Sequence, residues 1–272
     1  MSGIDAGIQA IKTQFIGDTG VRVLLVEGSD DVDAYRIFLD RRFSGWEKNW
    51  HLAPAGNKKA VAKMARKEPD WLGLVDRDEW SDSEIAEQTA ACSNLLILPR
   101  FCLESYLIDP TELWAALPDK QRAKIKNGEA GLRLELCSDL AAWRRHAALW
   151  HGVRPLWDAL RNAGFQGSVL GSPPTPDDAA LRVILNRWQQ TLDAEVVLSR
   201  FHTLEASLSA ENEGTLFTTW LYAKDFYPKV VHQVLNRLLG QKDAKWRRNA
   251  ILRARPVPDD LDIVWRAMGL QP

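Results

Sequence analysis

Between residues 21 and 104 the chain alternates short apolar runs with longer amphipathic ones. "VRVLLVEG" (21–28) is apolar and rich in β-branched residues, which predicts a buried strand. "DDVDAYRIFLDRRF" (30–43) then puts Val32, Tyr35, Ile37, Phe38 and Leu39 on one broad face at helical spacing. The alternation repeats. "WHLAPAGN" (50–57) is a second strand ending in glycine, and "KKAVAKMARKE" a short helix; "WLGLVDRDEW" (71–80) is a third strand. "SDSEIAEQTAAC" is a helix opened by the capping-box pair Ser81 and Glu84, and "NLLILPR" (94–100) is a fourth strand. Strands joined by helices of this length predict a parallel sheet with helices on its faces. Ahead of it, Ile4, Ile8, Ile11 and Phe15 recur at helical spacing, which predicts an amphipathic N-terminal helix within residues 1–20 rather than a signal peptide.

After residue 105 the pattern is helical without clear strands. It is interrupted by "NGEAG" and by the Gly-, Ser- and Pro-rich "GFQGSVLGSPPTPDD" (164–178), which reads as a loop or linker. The expected organisation is an N-terminal helix (1–20), an α/β domain (21–110) and a mainly helical C-terminal domain (111–272). The chain has 272 residues with 35 basic and 36 acidic side chains, so any nucleic-acid-binding surface must be local rather than global. Cys92, Cys102 and Cys137 show no CxxC spacing, which argues against a zinc site or a disulfide framework and for a reducing compartment. No run has transmembrane length, so a cytoplasmic protein with no membrane partner is expected. The twelve tryptophans serve either as core anchors or as stacking platforms for bases.

In a parallel α/β sheet the functional crevice lies at the carboxyl ends of the strands. Here those ends are acidic: Glu27 follows the first strand, Asp76 and Asp78 the third, and Glu104 the fourth. If the third strand continues through "DRD", its period of two puts both aspartates on one side. Glu27 either caps a helix or pairs with a base in an ordinary loop, or it awaits a cation. Convergent carboxylates make a hard-oxygen site suited to Mg²⁺ or Mn²⁺, and such an ion relieves their mutual repulsion. Asp31 either supports Glu27 and the ion or caps its own helix. Gly56 opens "GNKKAV", where Lys58 and Lys59 at a helix N-terminus either face a phosphate or form a plain basic face. Arg77 points away from the acids if the strand is regular. Arg100 either clamps phosphate or makes a structural salt bridge.

The ordered set "LLVEGSDD", "AGNKKAV", "LGLVDRD" resembles the Toprim domain, in which a glutamate follows strand one, a glycine strand two, and a DxD strand three. With "LPRFCLESYLIDP" the stretch 21–110 is similar to Toprim proteins allied to the OLD nucleases and to the Toprim effector subunit of PARIS anti-phage systems. The resemblance implies Glu27 as general acid or base or as a metal ligand, Asp76 and Asp78 as holders of Mg²⁺, and Glu104 as a further ligand. It implies a Mg²⁺-dependent nuclease acting on DNA or RNA in antiviral defence, regulated by an OLD/ABC-type ATPase subunit; a homo-oligomer is compatible with it. The chain has no GxxxxGK[ST] motif, so nucleotide hydrolysis would come from another subunit. The single DxD, followed by Glu79 and Trp80, leaves the number of metals open. "LYAKDFYPKVVHQVL" resembles a Lys-Asp element of the same proteins at Lys224 and Asp225. Lys224 is a candidate nucleic-acid contact, and "KWRRN" adds Lys245, Arg247 and Arg248 as further contacts or a solvated helix face. The alternative function is a non-catalytic Toprim-fold module that binds nucleic acid or docks an ATPase.

Overall fold

A computed structural model describes residues 3–17, 20–165 and 177–271. The four expected strands are present: β1 (Arg22–Val26), β2 (Trp50–Pro54), β3 (Leu72–Val75) and β4 (Leu95–Ile97). All pair in parallel, in the order β2-β1-β3-β4. The helices α1 (Gly3–Ile11), α2 (Ser29–Arg42), α3 (Lys58–Lys67) and α4 (Asp82–Ala91) flank the sheet. In β1, Val23, Leu24, Leu25 and Val26 are all buried, as they must be when helices cover both faces of a parallel sheet. Val23 and Leu25 join a core with Ile8 and Ile11 of α1, Val61, Met64 and Ala65 of α3, and Leu95 of β4. Leu24 and Val26 point to the opposite face by the strand's period of two, and α2 buries Ala34, Tyr35, Phe38 and Leu39. The capping box at Ser81 and Glu84 forms as expected, with Glu84 N–H donating to Ser81 Oγ at 3.3 Å and Ser81 N–H to Glu84 Oε2 at 2.8 Å.

Two glycines set the packing near the carboxyl edge. Gly73 in β3 lies between Leu25 and Leu95, and a Cβ there would come within 2.8 Å of Val61 Cγ1, so α3 seats closely only because the side chain is absent. Gly56, at φ 98°, turns the chain out of β2 after donating its N–H to the Glu27 carbonyl at 2.8 Å.

The domain boundaries differ from the expectation of one helical domain over 111–272. Two compact units form: Met1–Ser138 with Ala223–Pro272, and Asp139–Tyr222. The last fifty residues thus return to the α/β unit. Trp50 donates its indole N–H to the Met268 carbonyl at 2.9 Å, Arg41 donates to the Leu252 carbonyl at 3.0 Å, and Arg42 pairs with Asp262 at 2.9 Å. Trp46, Trp50, Trp71 and Trp265 are buried anchors. The second unit is helical. Its helices Leu140–Asn162 and Ala194–Ala210 pack together around Ala147, Ala148, Phe201 and Leu208, and Trp150 stacks on Tyr222 at 4.1 Å. Residues 166–176 of the expected linker lie outside the described residues. Among the described residues no helix is long and apolar enough to cross a membrane.

Candidate functional site

The strand order makes a crevice between β1 and β3. After β1 the chain leaves toward β2, after β3 toward β4, and the diverging connections open a gap at the carboxyl ends of these two neighbours. Glu27 follows the last residue of β1, and Asp76 follows the last residue of β3. Glu27, Asp76 and Asp78 each offer a carboxylate oxygen, and these oxygens lie within 4.8 Å of one another.

The aspartates converge by a route other than strand alternation. β3 stops at Val75, and Asp78 takes φ 49°, in the left-handed region that aspartate tolerates better than most residues. This turn is pinned by its own backbone, since Asp78 N–H donates to the Phe101 carbonyl at 2.7 Å. Asp76 accepts the Leu103 N–H through Oδ1 at 3.3 Å, and its own N–H donates to Glu27 Oε1 at 3.0 Å. The buried segment Phe101–Cys102–Leu103 after β4 therefore fixes the two aspartates, and Asp76 in turn fixes Glu27. Arg77 pairs with Asp82 at 2.8 Å, although the regular strand expected to turn it from the acids ends at Val75.

Two lysines enter among these acids. Lys224, read from the sequence as a candidate nucleic-acid contact, is paired within the protein, reaching Asp76 Oδ2 at 3.0 Å and Asp78 Oδ1 at 2.9 Å. It stands on the short helix Ala223–Phe226, anchored by buried Ala223 and Phe226, which runs on into a wide π-helical turn at Tyr227–Val231 containing Pro228. Lys58, the first residue of α3, reaches Asp78 Oδ2 at 2.6 Å while lying 4.2 Å from the centre of the Trp80 ring. Lys58 thus pairs with an aspartate of the crevice, and Asn57 caps the helix by accepting the Ala60 N–H at 3.0 Å. Lys59 is exposed. The part of Lys58 and Trp80 is legible only in three dimensions; nothing in their local sequence pairs them with Asp78.

The electrostatics divide the acids. Burial pushes Asp76 up to about 8; Lys224 opposes this, while Asp78, Glu27 and Asp31 add to it. Burial acts in the same direction on Asp78, but the charges of Lys58 and Lys224 and their hydrogen bonds outweigh it and hold Asp78 below the usual carboxylate range. Asp31 caps its helix by accepting the Gly28 N–H at 2.8 Å, and burial with the charges of Glu104 and Glu27 lifts it to about 6 against that bond. Lys224 is held above the ordinary lysine range, because Asp76 and Asp78 more than offset its burial. Glu104, in the turn Leu103–Leu107, acts on Asp31 and Cys102 through its charge but lies outside the trio of converging oxygens.

Of its two readings Arg100 takes the structural salt bridge rather than the phosphate clamp, and Arg247 and Arg248 are corrected from nucleic-acid contacts or a solvated face to buried residues. Arg100 is 8% exposed and its guanidinium is consumed inside the protein, pairing with Glu112 at 2.7 Å and Asp260 at 2.8 Å. Arg247 is 5% exposed and donates through Nη2 to Asn236 Oδ1 at 2.8 Å and to the Gly240 carbonyl at 2.6 Å. Arg248 is 6% exposed and pairs with Asp30 at 3.0 Å. Lys245 is exposed but bound to Asp30 and Asp33 at 3.2 and 3.1 Å. Their partners lie far away in sequence or on another helix, which is why a local pattern of basic residues reads as a free surface. No family model matches the chain, and no curated protein matches it either.

Proposed function

We propose that this chain is a Mg²⁺- or Mn²⁺-dependent nuclease of the Toprim type that hydrolyses phosphodiesters in DNA or RNA. The observation that carries the reading is the convergence of Glu27, Asp76 and Asp78 at one crevice. The donor set fits a hard divalent cation: three carboxylate oxygens gather there, and with Asp31 and Glu104 nearby the acids outnumber the two ammonium groups. Glu27, Asp76 and Asp78 would hold the ion. When bound, such an ion neutralises charge on phosphoryl oxygens and makes water more acidic.

The chain's own residues supply the rest. The Asp76 N–H holds the Glu27 carboxylate toward the crevice, and the Phe101 and Leu103 backbone groups keep both aspartates in place. Asp31, which accepts the Gly28 N–H beside these acids, would be the group placed to pass a proton to the leaving oxygen. A role in defence under an ATPase partner, with the ATPase on another chain, belongs to the same reading and rests on the Toprim resemblance.

A second reading is favoured by one observation. Both carboxylate oxygens of Asp78 are already paired with ammonium groups, as a permanent salt-bridge cluster in a non-catalytic binding module would be. Purified protein incubated with plasmid, single-stranded DNA and tRNA, with and without Mg²⁺ or Mn²⁺, separates the two. Metal-dependent cleavage that is lost in Glu27→Gln supports the nuclease; binding of nucleic acid without cleavage under every condition supports the module.

A further inference from the structure

The two ammonium groups at the acidic crevice are held in different ways. Lys58 has partners beyond the candidate metal ligands: the face of Trp80 at 4.2 Å and the Arg77 carbonyl at 3.5 Å, besides Asp78 at 2.6 Å. Its side chain is 19% exposed. Lys224 is 35% exposed and bridges Asp76 and Asp78, both of them candidate ligands. Its ammonium therefore stands between two of the three carboxylates that would hold a divalent ion, and at 2.9–3.0 Å from each it leaves no room for a second cation in its own position. Two cations contending for one pair of buried carboxylates repel each other, so occupancy by one lowers affinity for the other.

We propose that Lys224 is the resident counter-ion of the metal-free site and the group that a divalent cation displaces, whereas Lys58 stays on Asp78 throughout. This deepens the metal-site reading above and rests on it. Three consequences follow. Metal-free protein keeps Asp76 and Asp78 paired. Metal affinity is set partly by the strength with which Lys224 is held. Loading the ion also frees a lysine whose backbone lies outside the sheet, on the turn that opens the segment Ala223–Pro272. The flexible four-carbon stem of lysine permits such a swing without movement of the helix.

The test compares Mn²⁺ binding by calorimetry in the wild type, Lys224→Met and Lys58→Met, all otherwise intact chains. Lys224→Met, which keeps the length and removes the charge, is expected to bind Mn²⁺ about tenfold more tightly than the wild type, and Lys58→Met to show a smaller gain. Binding by Lys224→Met alone would be the extreme of the same result. A second measurement on the wild type covers the case in which the variant fails to fold. Lysine acetylation followed by mass spectrometry is expected to rise several-fold at Lys224 when Mn²⁺ saturates the protein, with exposed Lys120 unchanged as the internal reference. If the wild type binds Mn²⁺ but Lys224→Met binds it equally or more weakly, or if Lys224 acetylation is unaffected by Mn²⁺, the exchange is refuted while the metal site stands. If neither the wild type nor Lys224→Met binds Mn²⁺, the metal site itself is refuted and the exchange falls with it.

Discussion

Glu27 accepts the backbone N–H of Asp76 through Oε1 at 3.0 Å, so the end of β1 is tied to the end of β3 by the side chain proposed to face the cation. A glutamine amide oxygen accepts the same bond, so Glu27→Gln removes the charge and keeps the tie. Its stability without metal is expected to stay within about 1 kcal/mol of the wild type, because a like-charged neighbour of Asp76 is lost together with a stronger acceptor. Cleavage should fall by about a hundredfold or more, and the rise in Tm on adding Mg²⁺ should shrink. Full activity in this variant would remove Glu27 from the catalytic assignment.

Asp78 combines a left-handed backbone with two ion pairs, and two substitutions separate those roles. Asparagine accepts the left-handed conformation, so Asp78→Asn should lose the charge pairing with Lys58 and Lys224 but carry little backbone strain. Alanine does not accept it readily, so Asp78→Ala should be the less stable of the two by about 1 kcal/mol. Urea midpoints of the two variants check this; equal stabilities would mean that the turn at φ 49° is not strained for alanine.

The strands were legible because each is an apolar run closed by an acid, a glycine or a proline, and the Ser81–Glu84 capping box was legible because both partners lie within one turn. The convergence of Asp76 and Asp78 was anticipated for a different reason from the one that operates. Strand alternation requires β3 to continue through Asp78, but the strand ends at Val75 and the Phe101 carbonyl holds the turn, a contact that local pattern does not encode. The salt bridge of Arg100 was legible only as one of two readings for the same reason, since its partner Asp260 lies 160 residues away. The unit Asp139–Tyr222 was invisible because the chain is helical on both sides of each boundary, so no change of periodicity marks it.

Glu112 joins Arg100 at 2.7 Å and Arg255 at 3.0 Å. Burial raises its pKa, but the hydrogen bonds from Arg100 and the charges of Arg255 and Arg100 outweigh burial and hold the carboxyl below the usual glutamate range. A depressed folded-state pKa contributes stability that is fully present above the unfolded value and is lost as pH falls through the folded one. Urea midpoints should therefore drop as pH goes below about 4, and Glu112→Gln should be less stable at neutral pH with a flatter acid limb. Identical limbs in both proteins would show that Glu112 does not carry this dependence.

Among the basic residues, burial separates structural from surface roles. Arg247→Glu should cost about 3 kcal/mol or more, because it puts a carboxylate against the Asn236 oxygen and the Gly240 carbonyl. Lys59→Glu, on an exposed face of α3, should leave stability within about 0.5 kcal/mol and weaken nucleic-acid binding with a shallower salt dependence. Thermal melts and binding titrations over a salt series test both; unchanged binding in Lys59→Glu would place the polyanion elsewhere.

The return of Ala223–Pro272 to the α/β unit has a consequence for the order in which the protein is made. The three acids of the crevice leave the ribosome early, whereas Lys224 is separated from Asp78 by 146 residues and emerges only after the whole helical unit. The same delay applies to the Met268 carbonyl that Trp50 requires, 218 residues away. A nascent chain that has not yet reached residue 223 therefore carries a sheet whose acidic corner lacks the Lys224 ammonium and whose α2 side lacks its cover. Closure of that corner waits for residues 223–272 to be made, and contacts of such long range make it a slow step of folding.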